Sequence, residues 1–192
     1  MPMYKLKIAT APEWVETVLG DFDAFLLDHA SCEKKASSMA MTFVSHYPDR
    51  TELVKAMTEL AIEELNHFKE VVKIIYSRNL QLGADQKDPY VTELFKHTRK
   101  GSDFYFMDRM ILASIVEARG HERFGLVAEG LAPGPLQQFY KAITTSEGRH
   151  LNQFLDLACL YFPADTVNER TDQLLTVEAE IIANLPHRAA LH

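Results

Sequence analysis

The tetrapeptide Glu64-Leu65-Asn66-His67 recurs 83 residues later as Glu147-Gly148-Arg149-His150, and each copy interrupts an otherwise apolar row. Residues three apart on a helix project from one face, so each Glu-x-x-His can offer both side chains to one cation. With eight His and 16 Glu in the chain, chance alone supplies roughly 0.7 such pairs, so the tetrapeptide carries little weight by itself. Its phase carries more. The inward positions around the first copy read Leu53, Met57, Leu60, Glu64, His67, Val71 and Ile74. Those around the second read Leu136, Tyr140, Ile143, Glu147, His150, Phe154, Leu157 and Tyr161. The rows superpose, Glu on Glu and His on His. An ionised Glu in such a row is costly unless something neutralises it.

Two further rows supply partners: Leu26, His29, Glu33, Ala36, Ala40, Phe43, and Phe106, Met110, Ala113, Glu117, Gly120, Phe124. Each holds one Glu among small or apolar residues. Glu33 precedes Glu64 by 31 positions and Glu117 precedes Glu147 by 30, with turn signals midway at His46-Tyr47-Pro48-Asp49 and Gly130-Leu131-Ala132-Pro133-Gly134-Pro135. At ~1.5 Å per residue the two arms of each hairpin bring their carboxylates to one level.

The rest of the chain reads as helix. A short first helix starts near Thr10-Ala11-Pro12-Glu13 with Thr10 as its cap. Long helices cover about 21–46, 50–78, 103–129 and 136–161, and an amphipathic one covers about 166–185, carrying Val167, Leu174, Ile181 and Leu185. Between Leu80 and Ser102 lies a connection far longer than a hairpin needs, with Pro89–Lys100 partly helical. A crossover along a bundle takes roughly 12 or more extended residues. The expectation is all-α: a ferritin-like four-helix bundle with one long crossover, plus short N-terminal and C-terminal helices. One domain spans 1–192, with the ligand-bearing bundle at about 21–162.

Bulk properties agree. The chain of 192 residues is 47% hydrophobic and 24% charged, ordinary for a globular protein. No apolar run approaches the ~20 residues of a membrane span. No apolar segment follows Lys5 and Lys7 as an export signal would require. Cys32 and Cys159 form no CxxC pair and read as small core residues in a reducing, cytoplasmic setting. The net charge of −7 argues against a surface that is basic throughout.

Charge identifies the occupant. Glu33, Glu64, Glu117 and Glu147 carry four negative charges, which two divalent cations cancel. Four carboxylates with His67 and His150, and no thiolate, suit iron or manganese. One Glu from each of two helices plus Glu-x-x-His from two others is the general di-iron carboxylate pattern. Glu33 and Glu117 are expected as terminal ligands, Glu64 and Glu147 as bridges. Glu63 and Ser146 precede the motif glutamates and are candidates to orient an imidazole. His29 and His121, one turn from Glu33 and Glu117, either hydrogen-bond to those ligands, approach the metals, or are satisfied buried histidines.

Glu33, Glu64-x-x-His67, Glu117 and Glu147-x-x-His150, in a chain of this length with two compact hairpins, resemble the tRNA hydroxylases of the MiaE type. The resemblance implies a centre of two Fe ions that activates O2 and hydroxylates the isopentenyl group of 2-methylthio-N6-isopentenyladenosine in tRNA. It implies a dry pocket, for which Phe25, Met39, Phe43, Phe104 and Phe106 are candidates. Monooxygenation needs two further electrons, and without a flavin, nicotinamide or iron–sulfur motif an external electron donor, a separate reductase, is expected. Lys96, Arg99 and Lys100, with Lys34 and Lys35, are the candidate phosphate contacts, which would make tRNA binding salt-dependent. The alternative is a ferroxidase or a rubrerythrin-like peroxidase in iron handling. A rubrerythrin normally brings a CxxC module, and a helical adaptor would leave the inward carboxylates unexplained.

Overall fold

The computed structural model describes residues 5–192; the reading of the N-terminus as lacking an export signal falls in part on residues 1–4, outside the described residues. The elements are α1 (Pro12–Gly20), α2 (Phe22–His46), α3 (Thr51–Ser77), α4 (Pro89–Phe95), α5 (Ser102–Gly130), α6 (Pro135–Tyr161) and α7 (Ala164–Asn184), with no strand among the described residues. The all-α expectation holds, and the long helices fall within a few residues of their expected ends. Two compact units divide the chain.

One unit comprises Gly20–Gln86 and Ala189–Leu191 and is built on the α2–α3 hairpin. Asp21 caps α2 by accepting from the Ala24 amide at 3.3 Å. Tyr47 closes α2 through its amide to the Phe43 carbonyl, and Pro48 follows where a helix cannot continue. Asn79, at φ 59°, ends α3. The Leu80 amide returns to the Ile75 carbonyl and that of Asn79 to Tyr76, a Schellman closure with Asn at the left-handed position. Arg78 Nε donates to Asp23 Oδ1 at 2.7 Å, fastening the end of α3 to the start of α2. The start of the crossover lies along α2. Ser31 donates to Asp85 at 3.0 Å, Lys34 pairs with Asp85 at 2.8 Å, and Lys35 donates to the Gln86 carbonyl at 2.7 Å.

The other unit holds α1, α4, α5, α6 and α7. Here α5 is central, with α6, α7 and α4 against it. Accordingly α5 is buried nearly all round, including Asp108, Arg109, Arg119 and Arg123. Gly130 permits the close approach of α1 to the end of α5, since a Cβ there would lie 2.8 Å from Leu19 Cδ1 and displace that side chain.

Several expectations are corrected. Thr10 does not cap α1, which begins at Pro12. Its amide and hydroxyl donate instead to Glu122 at 3.1 and 2.6 Å. Apolar rows shift at their edges: Ile75 is buried where Ile74 was expected, and Leu136 and Tyr161 are half-buried. Phe104 is 56% exposed, beneath the Arg99 guanidinium at 4.8 Å, and so lines no dry pocket. Phe25, Phe43 and Phe106 are fully buried, and Met39 is half-buried. Cys32 and Cys159 are half-buried rather than core residues.

Candidate metal centre

In the first hairpin, Glu33 on α2 and Glu64 on α3 are 4% and 1% exposed. One ligand atom from each of Glu33, Glu64 and His67 lies within 4.8 Å of the others. His67 Nδ1 stands 3.6 Å from Glu33 Oε2 and 3.5 Å from Glu64 Oε2. Both separations exceed the 2.7–3.2 Å typical of a hydrogen bond. They suit donor atoms around a cation, which at bonds of ~2.0–2.2 Å sit roughly 3–4 Å apart. Behind this set, His29 Nε2–H donates to Glu33 Oε1 at 2.6 Å, with His29 fully buried. His29 is thus the partner of a ligand-type carboxylate, one of the roles expected of it.

The second hairpin repeats the arrangement. Glu117 on α5 and Glu147 on α6 are 8% and 4% exposed and His150 is 3%. Their ligand atoms also lie within 4.8 Å of one another. His150 Nδ1 is 3.2 Å from Glu147 Oε2 and 3.9 Å from Glu117 Oε2. Position 113, the counterpart of His29 one turn before the helix's own Glu, is Ala, so the two sets differ in that one imidazole. Two buried carboxylates and one imidazole in each hairpin form a donor set without thiolate, chemically suited to iron or manganese.

His121 does not act as His29 does. Its Nδ1–H donates to the Thr144 carbonyl at 2.9 Å. Ser146, 7% exposed, accepts from Arg149 at 3.0 Å, and Glu63 is half-buried beside Glu64. Sequence reasoning missed two hydroxyls: Ser37 donates to the Ala61 carbonyl at 2.8 Å and Ser114 to that of Leu151 at 2.6 Å. Each ties the two helices of its hairpin together beside the carboxylates. A serine in a core row one turn from a core Glu was the available signal.

The basic candidates are mostly committed elsewhere. Arg99 is fixed to buried Asp108, its Nη2 at 2.7 Å and its backbone amide at 2.8 Å, and Arg170 Nη2 reaches the same carboxylate at 2.9 Å. Burial alone would raise the Asp108 pKa, but Arg170 and Arg99 bring it below the ordinary value. Lys34 and Lys35 hold the crossover, and Lys96 pairs with Glu93 at the surface. Lys96 and Lys100 are exposed.

A family model described as tRNA-(MS[2]IO[6]A)-hydroxylase (MiaE) matches residues 2–192. A Pseudomonas putida protein named tRNA 2-(methylsulfanyl)-N(6)-isopentenyladenosine(37) hydroxylase is 28% identical over 183 residues, covering 95% of this chain and 89% of that one. A Salmonella typhimurium protein of the same name is 29% identical over 165 residues, 86% of this chain and 60% of its own length. Among solved structures, a Synechococcus protein described as having aldehyde deformylating oxygenase activity superposes with a TM-score of 0.90 at 30% identity. That likeness covers 97% of this chain and 92% of the other, and the fold is ferritin-like. No helix of the described residues is long and apolar enough to cross a membrane.

Proposed function

Because the chain belongs to the MiaE family of tRNA hydroxylases, we propose that it hydroxylates the isopentenyl group of 2-methylthio-N6-isopentenyladenosine in tRNA, using O2 at a di-iron centre held by Glu33, Glu64, His67, Glu117, Glu147 and His150. The observation that carries this reading is the repeated set of two buried carboxylates and one imidazole, once in each hairpin. Four carboxylates offset two dications, and two imidazoles add the neutral donors that iron accepts. The family match runs from residue 2 to 192 and supports a single domain.

When bound, the iron pair supplies the reduction of O2 and the insertion of one oxygen atom into an allylic C–H bond. The chain's own residues hold and orient. His29 donates to Glu33 and restricts how that carboxylate can turn, while Ser37 and Ser114 keep each hairpin's helices in register. Phe25, Phe43 and Phe106 are fully buried and extend the apolar core along the helices that carry Glu33 and Glu117. Glu63 and Ser146 are assigned to orient the imidazoles. The stoichiometry consumes two electrons and two protons beyond the substrate's own and releases one water, so an electron donor, a separate reductase, belongs to the reading. Exposed Lys96 and Lys100 are assigned to phosphate contact, and the cytoplasm is the compartment that a tRNA substrate requires.

The test is mass spectrometry of tRNA nucleosides from cells lacking the gene, complemented with wild type or with Glu147→Ala. The hydroxylated isopentenyl nucleoside should return only with wild type. Its return with Glu147→Ala would overturn the site, and its failure to return with iron-loaded wild type would overturn the substrate.

A further inference from the structure

Three positive charges fall within five residues at Lys96-His97-Thr98-Arg99-Lys100, with no acid among them, in a chain whose net charge is −7. Two aromatic residues follow closely. Phe104 and Tyr105, in the first turn of α5, are 56% and 40% exposed. A single exposed aromatic ring is ordinary on a protein surface. The mounting of Phe104 is specific.

Gly101, at φ 99°, makes the left-handed turn that leads into α5, and its carbonyl accepts from the Tyr105 amide at 2.8 Å. A Cβ at position 101 would lie 3.7 Å from Phe104 Cδ2, so the ring rests beside this turn. The Arg99 guanidinium lies 4.8 Å from the centre of the same ring. That guanidinium is held in place. Its Nε and Nη2 donate to Asp108 at 3.1 and 2.7 Å, and the Arg99 amide donates to the same carboxylate at 2.8 Å. Asp108 is fully buried, and Arg170 Nη2 donates both to it, at 2.9 Å, and to the His97 carbonyl, at 2.8 Å. Arg99 is therefore a fixed backing for the Phe104 ring through a cation–π contact. A ring positioned in advance loses little side-chain freedom when a ligand stacks on it.

The surroundings select the occupant. Lys96 and Lys100, both exposed, stand on the link that carries Arg99. Lys96 pairs with Glu93, but an exposed ion pair of this kind is worth little and yields readily to a phosphate. An accessible π-face with ammonium groups on the same segment suits an unpaired nucleobase on the ring and its phosphates on the lysines.

We propose that Phe104, backed by Arg99, is a stacking platform for an unpaired base of the tRNA substrate. Tyr105 widens the aromatic surface, and Lys96 and Lys100 take the adjoining phosphates. The inference rests on the tRNA reading above and adds to it a residue that holds the RNA by stacking, where the lysines act by charge.

The probe is tRNA bearing 2-methylthio-N6-isopentenyladenosine, isolated from cells that lack the gene. Its binding to the iron-loaded chain, without reductant, is followed by the anisotropy of an end label between about 50 and 200 mM salt. Phe104→Leu keeps an apolar side chain without a π-face and should weaken binding roughly tenfold at every salt concentration. Phe104→Tyr should bind as wild type does. The slope of log affinity against log salt should be unchanged in Phe104→Leu, because stacking releases no counterions, whereas Lys100→Ala should reduce it by about 1. Phe104→Trp adds a direct signature. Trp14, the one tryptophan of the chain, is 1% exposed, so wild type supplies the background, and the extra emission of F104W should be quenched when tRNA binds. Circular dichroism and iron content verify that each variant is folded. Full affinity in Phe104→Leu, or unquenched F104W emission with tRNA bound, would overturn the platform and leave the exposed ring to a protein contact. If wild type binds this tRNA and the variants behave as expected, yet the isopentenyl group stays unhydroxylated when reductant and O2 are supplied, the reaction falls and the platform stands. No binding of this tRNA by wild type would overturn both.

Discussion

Ser37 and His121 hold the same place in the two long hairpins. Each lies four residues after a core glutamate, Glu33 or Glu117, and each donates to a carbonyl three residues before the next, Ala61 before Glu64 and Thr144 before Glu147. The bonds, 2.8 and 2.9 Å, fix the longitudinal register of each hairpin at the level of its carboxylates. A hydroxyl and an imidazole differ in bulk, and the sequence compensates. Leu65 follows Glu64, whereas Gly148 follows Glu147, and a Cβ at 148 would lie 3.1 Å from His121 Cε1.

Gly148→Ala should therefore lower stability, although alanine favours a helix over glycine by about 1 kcal/mol. His121 cannot retreat without lengthening its bond to Thr144. In a His121→Ala background the clash is gone, and the same substitution should raise stability by about 0.5–1 kcal/mol. Urea unfolding of the four proteins of this cycle gives the answer. An equal effect of Gly148→Ala in both backgrounds would show that His121 does not require the glycine.

His29 and Glu33 provide a second prediction. The bond between them is short and fully buried, and only the first hairpin has such an imidazole. Removing a group that orients a ligand typically costs 10–100-fold in metal affinity. His29→Ala should lose that much ferrous affinity at one of two sites and little at the other, with helical content unchanged. Anaerobic ferrous titration followed by circular dichroism separates the two effects. Equal weakening of both sites would remove the asymmetry assigned to His29.

The carboxylates were legible in the sequence because an acid in an apolar row is a conflict that only a partner resolves, and helix phase exposes the conflict. Helix ends were legible from Pro48, Pro133 and Pro163. What local pattern cannot supply is the identity of a distant partner. Thr10 has the form of a cap, yet Glu122, 112 residues on, takes both its donors. Arg99 reads as a surface charge until Asp108 is found buried beneath it. Glu178 does fall in the row Val167, Thr171, Leu174, so its burial was readable, but nothing local points to Arg119, 59 positions earlier.

That pair is open to a direct test. Arg119 and Glu178 are both fully buried and 2.8 Å apart at closest approach. Burial and then the Glu178 charge hold the bonded Tyr90 hydroxyl well above its ordinary pKa. Glu178→Leu leaves Arg119 short of a counter-charge and should cost about 3–5 kcal/mol. Arg119→Met together with Glu178→Leu should recover most of that loss, with about 1 kcal/mol still missing for the Tyr90 hydroxyl. Chemical denaturation decides, and a double variant no more stable than Glu178→Leu would count against an isolated buried-charge penalty.

Asp88 sets an acid limit on the fold. Burial would raise its pKa, but the His192 ring, through hydrogen bond and charge, and the Val91 and Tyr90 amides at the start of α4 outweigh burial and lower it to about 2. The unfolded chain has an ordinary Asp value, 3.8. A group with a depressed folded pKa contributes its stability above the unfolded pKa and loses it as pH falls through the folded one. The contribution is therefore complete above about pH 4 and fades towards pH 2, and a shift of nearly two units corresponds to about 2 kcal/mol. Asp88→Asn should be less stable than wild type by about that amount at pH 5, with the difference closing as pH is lowered to 3 and below. Urea midpoints across this range measure it, and a difference that stays constant with pH would mean that Asp88 acts through the geometry of its cap alone.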